Sequence, residues 1–121
     1  MAKILIIDDE PLLVMAMKIR LESVGYEVIS AYDGQEGLTK AQEEHPDLII
    51  LDVMLPKKNG YQICQQLKFD EQYKHIPIIM LTAKTQKMDK KYAQQAGADF
   101  YITKPFENKE LLAKIRELIE R

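Results

Sequence analysis

Apolar residues along this chain follow two rhythms. Short unbroken runs occur at Lys3 to Ile7, Val28-Ile29, Leu48 to Leu51, Ile78 to Leu81 and Phe100 to Ile102. They have the length of strands, and all but the second lack apolar-polar alternation. Strands without alternation are covered on both faces, as in a parallel sheet between helical layers. The segments between them carry the helical period. Leu13, Met17, Leu21 and Val24 recur at helical spacing, with Pro11 suited to the first helical position and Gly25 following. A second helix is predicted from about Gln35 to Glu44 on Leu38 and Ala41, and a third after Gly60 on Ile63, Cys64 and Leu67. A fourth runs from about Met88 to Ala96 before Gly97. The last starts near Asn108, a candidate cap, and uses Leu111, Leu112, Ile115, Leu118 and Ile119. Strand and helix thus alternate five times, which predicts an α/β fold with a doubly wound parallel sheet whose ligands bind beyond the carboxyl ends of the strands.

Composition narrows the class. With 121 residues, 46% of them hydrophobic and 30% charged, the chain has material for one core and one domain, residues 1–121. Seventeen Lys and Arg against 19 Asp and Glu leave a net charge of -2 without long blocks of one sign, which argues against a dedicated nucleic-acid binder. One cysteine makes no internal disulfide, and with two histidines it makes no thiolate-rich zinc site. The apolar run between Lys3 and Asp8 is too short for a signal peptide, and no run approaches a membrane span. A cytoplasmic domain is the expectation.

The polar residues at the strand ends carry the chemistry. Asp8, Asp9 and Glu10 follow the first strand, Asp52 the third, Thr82 the fourth and Lys104 the fifth. Carboxylates converging on one edge repel by several kcal/mol unless a cation or protons intervene. All-oxygen donors favour Mg²⁺, Mn²⁺ or Ca²⁺ over zinc, and a site with two or three carboxylates and room for a phosphoryl oxygen suits Mg²⁺ best. Lys104 supplies a cationic phosphate partner, Thr82 a hydroxyl donor and Asp52 a candidate nucleophile for an aspartyl-phosphate. Each residue also has an ordinary reading. Asp8, Asp9 and Glu10 suit the capping of the first helix, Asp52 alone is an unremarked strand-end acid, and Lys104-Pro105 alone ends a strand. Cys64 and the methionines read as core filler. His45, His75, Lys57-Lys58 and Lys90-Lys91 read as solvated. The coincidence at four strand ends favours the chemistry.

The segments Ile4 to Pro11, Pro46 to Pro56 with Gly60, Ile78 to Ala83, and Gly97 to Phe106 resemble the receiver domain of two-component response regulators, and the likeness runs from Lys3 to about Glu120. It implies a flavodoxin-like three-layer α/β/α sandwich with five helices and a five-stranded sheet of order 2-1-3-4-5. By the same resemblance, Asp52 accepts a phosphoryl group from the phosphohistidine of a sensor histidine kinase or phosphotransfer protein. Asp9, Asp52 and the Met54 carbonyl then ligate Mg²⁺, with Asp8 acting mainly through water. Thr82 and Lys104 hold phosphoryl oxygens. A cis bond precedes Pro105, and Tyr101 turns inward as Thr82 moves. The switched surface consists of the fourth helix, the fifth strand and the last helix, and it addresses a downstream protein or an output domain, with a homodimer through that face an open option. Direct nucleic-acid binding by this domain and membrane contact are not expected.

Departures from the family pattern limit the transfer. Asp99-Phe100 stands where dimerising members carry two acids, and Lys114 where they carry arginine. The loop Lys57-Lys58-Asn59-Gly60 is unusually basic. Met54 and Lys84, two residues past Asp52 and Thr82, are neither acids nor amides, so slow self-dephosphorylation is expected. The alternative activities are a Mg²⁺-dependent aspartate-nucleophile phosphatase of the haloacid dehalogenase kind, a nucleotide or flavin module, and a receiver-like scaffold that is never phosphorylated. The first lacks an acid at Met54 and a cap domain. The second lacks a glycine-rich loop after the first strand, and the scaffold reading leaves the complete set of site residues without a purpose.

Overall fold

The computed structural model describes residues 1–55, 59–83 and 95–120. Five parallel strands, β1 (Lys3–Ile7), β2 (Glu27–Ala31), β3 (Leu48–Asp52), β4 (Ile78–Ala83) and β5 (Phe100–Lys104), form one sheet in the order β2-β1-β3-β4-β5. Four helices are described: α1 (Pro11–Ser23), α2 (Gly34–Glu44), α3 (Gly60–Lys68) and α4 (Asn108–Glu120). The helix expected from Met88 to Ala96, together with Lys84, Lys57-Lys58 and Lys90-Lys91, falls wholly or largely outside the described residues.

The missing alternation has a direct cause. Leu5, Ile7, Ile49, Leu51, Ile78 and Met80 pack under α2 and α3, while their sequence neighbours Ile4, Ile6, Leu48, Ile50, Ile79 and Leu81 pack under α1 and α4. Period-2 side chains therefore meet a helical layer on each face, and the inner strands β1, β3 and β4 are apolar at successive positions up to their carboxyl ends. The result is the expected three-layer sandwich. Cys64 is fully buried, and burial pushes its thiol up to about 12.

Some expectations shift. The inward face of α1 is Val14, Met17 and Leu21; Val24 caps the helix, exposed, and Leu13 is half-buried. The opposite stripe of Leu12, Met15 and Ile19 faces solvent at 82%, 58% and 63% exposure. The helix is apolar all round while only one face has a sheet to cover it. Methionine is likewise not uniformly core filler, because Met17 and Met80 are buried while Met15 and Met54 are exposed. Asn108 is the first residue of α4 rather than its cap. Asp52 and Lys104 are the last residues of their strands, and Thr82 the last but one of β4, so the site begins one step inside the sheet.

Candidate functional site

The chain runs from β1 outward to β2 and then returns to β3 on the other side of β1, so the strand order reverses between β1 and β3. Doubly wound sheets open their ligand crevice at such a switch point. Ile7 pairs with Leu51, and the next residues, Asp8 and Asp52, leave the sheet side by side. Asp52 pairs with Leu81 and Ala83 with Lys104, which brings Thr82 and Lys104 to the same edge. Among the described residues, the buried polar or charged ones are Asp8, Asp52 and Thr82, and all three lie here. Burying such groups costs free energy unless they are paired, so they mark the site against an otherwise apolar interior.

Lys104 is the hub. Its Nζ lies 3.1 Å from Asp8 Oδ2, 3.2 Å from Glu10 Oε1 and 3.6 Å from Asp52 Oδ2. The Glu10 amide donates to Asp8 Oδ1 at 2.9 Å, and the Met54 amide donates to Asp52 Oδ1 at 3.3 Å. Burial raises the Asp52 carboxyl from 3.8 to about 6; Asp8 and Asp9 add to the rise, while Lys104 and the Met54 amide oppose it. Asp8 is raised too, chiefly by burial, against the pull of the Glu10 amide and Lys104. For Lys104, burial disfavours the charge, but the attraction of Asp52 and Asp8 outweighs it and the ammonium's pKa is raised. One ammonium does not neutralise four acids. Asp8, Asp9, Glu10 and Asp52 each offer a carboxylate oxygen, all within 4.8 Å of one another. At that spacing a like-charge pair repels by about 3.5 kcal/mol at an effective dielectric of 20. A hard divalent cation fits this all-oxygen donor set, and a soft one does not.

The loop after β3 is shaped around the acceptor position. A Cβ on Gly60 would clash with the Asp52 carbonyl and lie 2.9 Å from Val53 Cα, so only glycine lets the start of α3 close on this turn. The Gly60 amide donates to the Val53 carbonyl at 2.9 Å, and Asn59 and Gln62 form a capping box above it. Tyr101 is half-buried against the layer under α2 and α3, and the Lys104-Pro105 bond is cis. Phe100 packs toward the other layer, with Lys114 Nζ 4.1 Å from its ring centre. Lys114 also pairs with Glu117 at 2.9 Å, so it is engaged within its own chain.

Three features escape the sequence pattern: the reach of Glu10 to Lys104, the close approach at Gly60, and a clasp at the amino-terminal ends of β4 and β5, opposite the site. In the clasp, Lys68 Nζ donates to the carbonyls of Lys74 and Ile76 and to Asp99 Oδ2 at 2.8, 3.0 and 2.9 Å. Asp99 Oδ2 also accepts from the Ile78 amide at 2.8 Å. Side-chain reach of this kind leaves no period to read.

Residues 4–116 match the response regulator receiver domain. The chain belongs to that family. As a receiver domain it has a phosphorylation-based signalling fold, and receiver domains bind Mg²⁺ at an acidic pocket of the kind formed by Asp8, Asp9, Glu10 and Asp52. It is 48% identical over 119 residues to the alkaline phosphatase synthesis transcriptional regulatory protein PhoP of Bacillus subtilis, covering 98% of this chain and 49% of that protein. The receiver domain thus spans about half the length of the curated relatives it matches. Its structure superposes on chemotaxis response regulator CheY4 of Vibrio cholerae with a TM-score of 0.89, at 36% identity and 98% coverage of each chain. The receiver domain of sensor histidine kinase PA1611 from Pseudomonas aeruginosa superposes with a TM-score of 0.91, at 31% identity and coverage of 99% of this chain and 98% of that one; its structure has a magnesium ion coordinated in the active site cleft. Among the described residues, no helix of this receiver domain is long and apolar enough to cross a membrane.

Proposed function

We propose that this receiver domain, spanning residues 1–121, is a phosphoacceptor switch in which Asp52 takes a phosphoryl group from the phosphohistidine of a sensor histidine kinase or phosphotransfer protein. An Asp52 carboxylate oxygen forms the new O–P bond while the N–P bond breaks. The imidazole leaves with the electron pair and takes up a proton. Asp8, Asp9, Asp52 and the Met54 carbonyl hold Mg²⁺, which supplies positive charge to the phosphoryl oxygens. Lys104 and Thr82 bind those oxygens directly, Lys104 by charge and Thr82 by its hydroxyl. The observation that carries this reading is the gathering of the buried polar residues Asp8, Asp52 and Thr82 at one sheet edge around the Lys104 ammonium.

The added charge of about -1.5 to -2 draws Thr82 and Lys104 toward Asp52, and Tyr101 follows on β5. The output is a change of surface on β5, α4 and the helix expected from Met88 to Ala96, read by a downstream protein or an attached output domain. The domain turns over no metabolite and contacts neither nucleic acid nor membrane itself, and its setting is the cytoplasm. With Lys114 engaged by Phe100 and Glu117, a dimer through the output face draws on apolar contact more than on an ion pair with Lys114.

The stripe of Leu12, Met15 and Ile19 on α1 is exposed, and a separate groove of about 430 Å³ between α1 and the turn at Pro105, lined by Leu13, Ala16, Met17 and Phe106, runs to Lys104. A phosphodonor that delivers its group to Asp52 covers this surface.

Acetyl phosphate with and without Mg²⁺, on wild type and Asp52→Ala, tests the reading by intact mass. A gain of one phosphoryl group that needs both Mg²⁺ and Asp52 is expected. No gain, with Mg²⁺ still bound, assigns the fold to the unphosphorylated scaffold instead.

A further inference from the structure

Three carboxylates meet Lys104, and they are not equivalent. The side chains of Asp8 and Asp52 are 0% and 8% exposed, whereas that of Glu10, at a similar distance, is 60% exposed. Lys104 donates hydrogen bonds to Asp8 and Glu10, while Asp52 at 3.6 Å is within ion-pair but not hydrogen-bond distance. A phosphoryl group arriving on Asp52 competes with Asp8 and Glu10 for the charge of Lys104. Asp8 is buried and held by the Glu10 amide as well. Glu10 is the partner that water can receive.

Its main chain is fixed while its side chain is not. The Glu10 amide donates to Asp8, its carbonyl accepts from the Val14 amide at 3.0 Å, and Pro11 restricts it to the extended conformation seen, φ -98 and ψ 99. Glu10 stands at the N-cap of α1, yet its side chain makes no capping hydrogen bond. Local helix chemistry therefore does not account for where this carboxylate points. Its hydrogen bond to Lys104 at 3.2 Å does.

We infer that Glu10 is a placeholder on Lys104, a positioning residue that completes the ammonium's shell in the resting site and is displaced by the incoming phosphoryl group. The inference rests on the acceptor role proposed for Asp52. Before transfer, Glu10 helps to hold Nζ over the cleft. On transfer, the new negative charge competes for Lys104 and repels the Glu10 carboxylate into solvent. Glu10 thus sets how readily the site takes a phosphoryl group, without touching phosphorus. An exposed pair of this kind corresponds to an effect of about two- to fivefold.

The test uses the full chain with Mg²⁺, comparing wild type, Glu10→Gln and Glu10→Asp. Intact mass gives the half-saturating acetyl phosphate concentration and the maximal rate. The Lys104 backbone amide in NMR reports the affinity for beryllofluoride and, separately, for Mg²⁺. Glu10→Gln is expected to lower the half-saturating acetyl phosphate and to tighten beryllofluoride by the same factor, about threefold. Glu10→Asp keeps the charge but is one methylene too short to hold Lys104, and it is expected to follow Gln rather than wild type.

Variants whose half-saturation and beryllofluoride affinity equal those of wild type overturn the placeholder role. So does an Asp variant that behaves as wild type, because charge alone then explains the effect. A Gln variant whose Mg²⁺ affinity falls by more than its beryllofluoride affinity rises assigns Glu10 to the cation instead. Wild type that gains no phosphoryl group at Asp52 overturns the acceptor reading and this inference with it, whereas phosphorylated wild type beside unaltered variants overturns this inference alone.

Discussion

Replacing Asp52 by asparagine is expected to abolish phosphorylation and, above neutral pH, to make the domain more stable. The Asp52 carboxyl is raised from 3.8 to about 6 in the folded state, chiefly by burial and then by Asp8. A raised carboxyl binds its proton more tightly folded than unfolded. Stability therefore falls as pH climbs from about 3.8 to about 6, and the cost is fully present once Asp52 is ionised in both states. A shift of about 2 units at about 1.36 kcal/mol each sets a ceiling of about 3 kcal/mol. Asparagine removes that cost but weakens the contact with Lys104 and brings an amide that needs partners in the cleft, which leaves a net gain of about 1–2 kcal/mol.

Urea unfolding followed by far-ultraviolet circular dichroism, in chelator at pH 7.5 and pH 4.5, measures the difference. The titration alone predicts that the gain at pH 4.5 is about a third of that at pH 7.5. The Lys104 ammonium titrates above this window, and the repulsion between Asp8 and Asp52, which the variant also relieves, is part of the gain. Mg²⁺ stabilises the wild type by binding its folded state, and the gap is expected to narrow as the ion is added. A variant no more stable than wild type at pH 7.5, or one whose gain is equal at both pH values, refutes the claim that an ionised, buried Asp52 strains the fold.

Lys68→Met removes the clasp among Lys74, Ile76 and Asp99 and leaves the part-buried Asp99 carboxylate with the Ile78 amide but without its ammonium, so a loss of about 1–2 kcal/mol in urea unfolding is expected, with phosphorylation of Asp52 retained. Leu12→Asp combined with Ile19→Asp is expected to slow transfer from a histidine phosphotransfer donor by about tenfold or more while leaving the acetyl phosphate reaction as it was, because only a protein donor needs the exposed stripe on α1. Met54→Asn introduces an amide able to orient a water near phosphorus and is expected to speed phosphate loss from the purified phosphoprotein; wild-type decay as fast as the variant's refutes the expectation of slow self-dephosphorylation.

The layers were legible because burial on both faces writes itself into composition: a strand such as Leu48 to Leu51 has nowhere to place a polar residue. The site was legible for the complementary reason. Asp8, Asp52 and Thr82 interrupt or end those apolar runs, and a polar residue at the end of a buried strand lies at the edge the topology reserves for ligands. α1 was read less well. Its apolar residues surround the helix, so periodicity alone did not separate the inward Val14, Met17 and Leu21 from the outward Leu12, Met15 and Ile19.

Glu10 was out of reach for a different reason. Position along the chain places it among the strand-end acids and beside Pro11 at the start of α1, where an acid also suits the helix dipole, and neither reading pairs it with Lys104. Only the three-dimensional approach of β5 adds a stronger partner, because Lys104 is separated from Glu10 by 94 residues and meets it through the parallel registers that link β1 to β5 by way of β3 and β4. A charged pair across that separation leaves no period and no motif. The same contact connects the loop after β1, which holds Asp8 and Asp9, to the carboxyl end of β5. Any change of ligand at Lys104 is therefore felt at both ends of the sheet edge, and the side chain that yields first, Glu10, sets the threshold for that change.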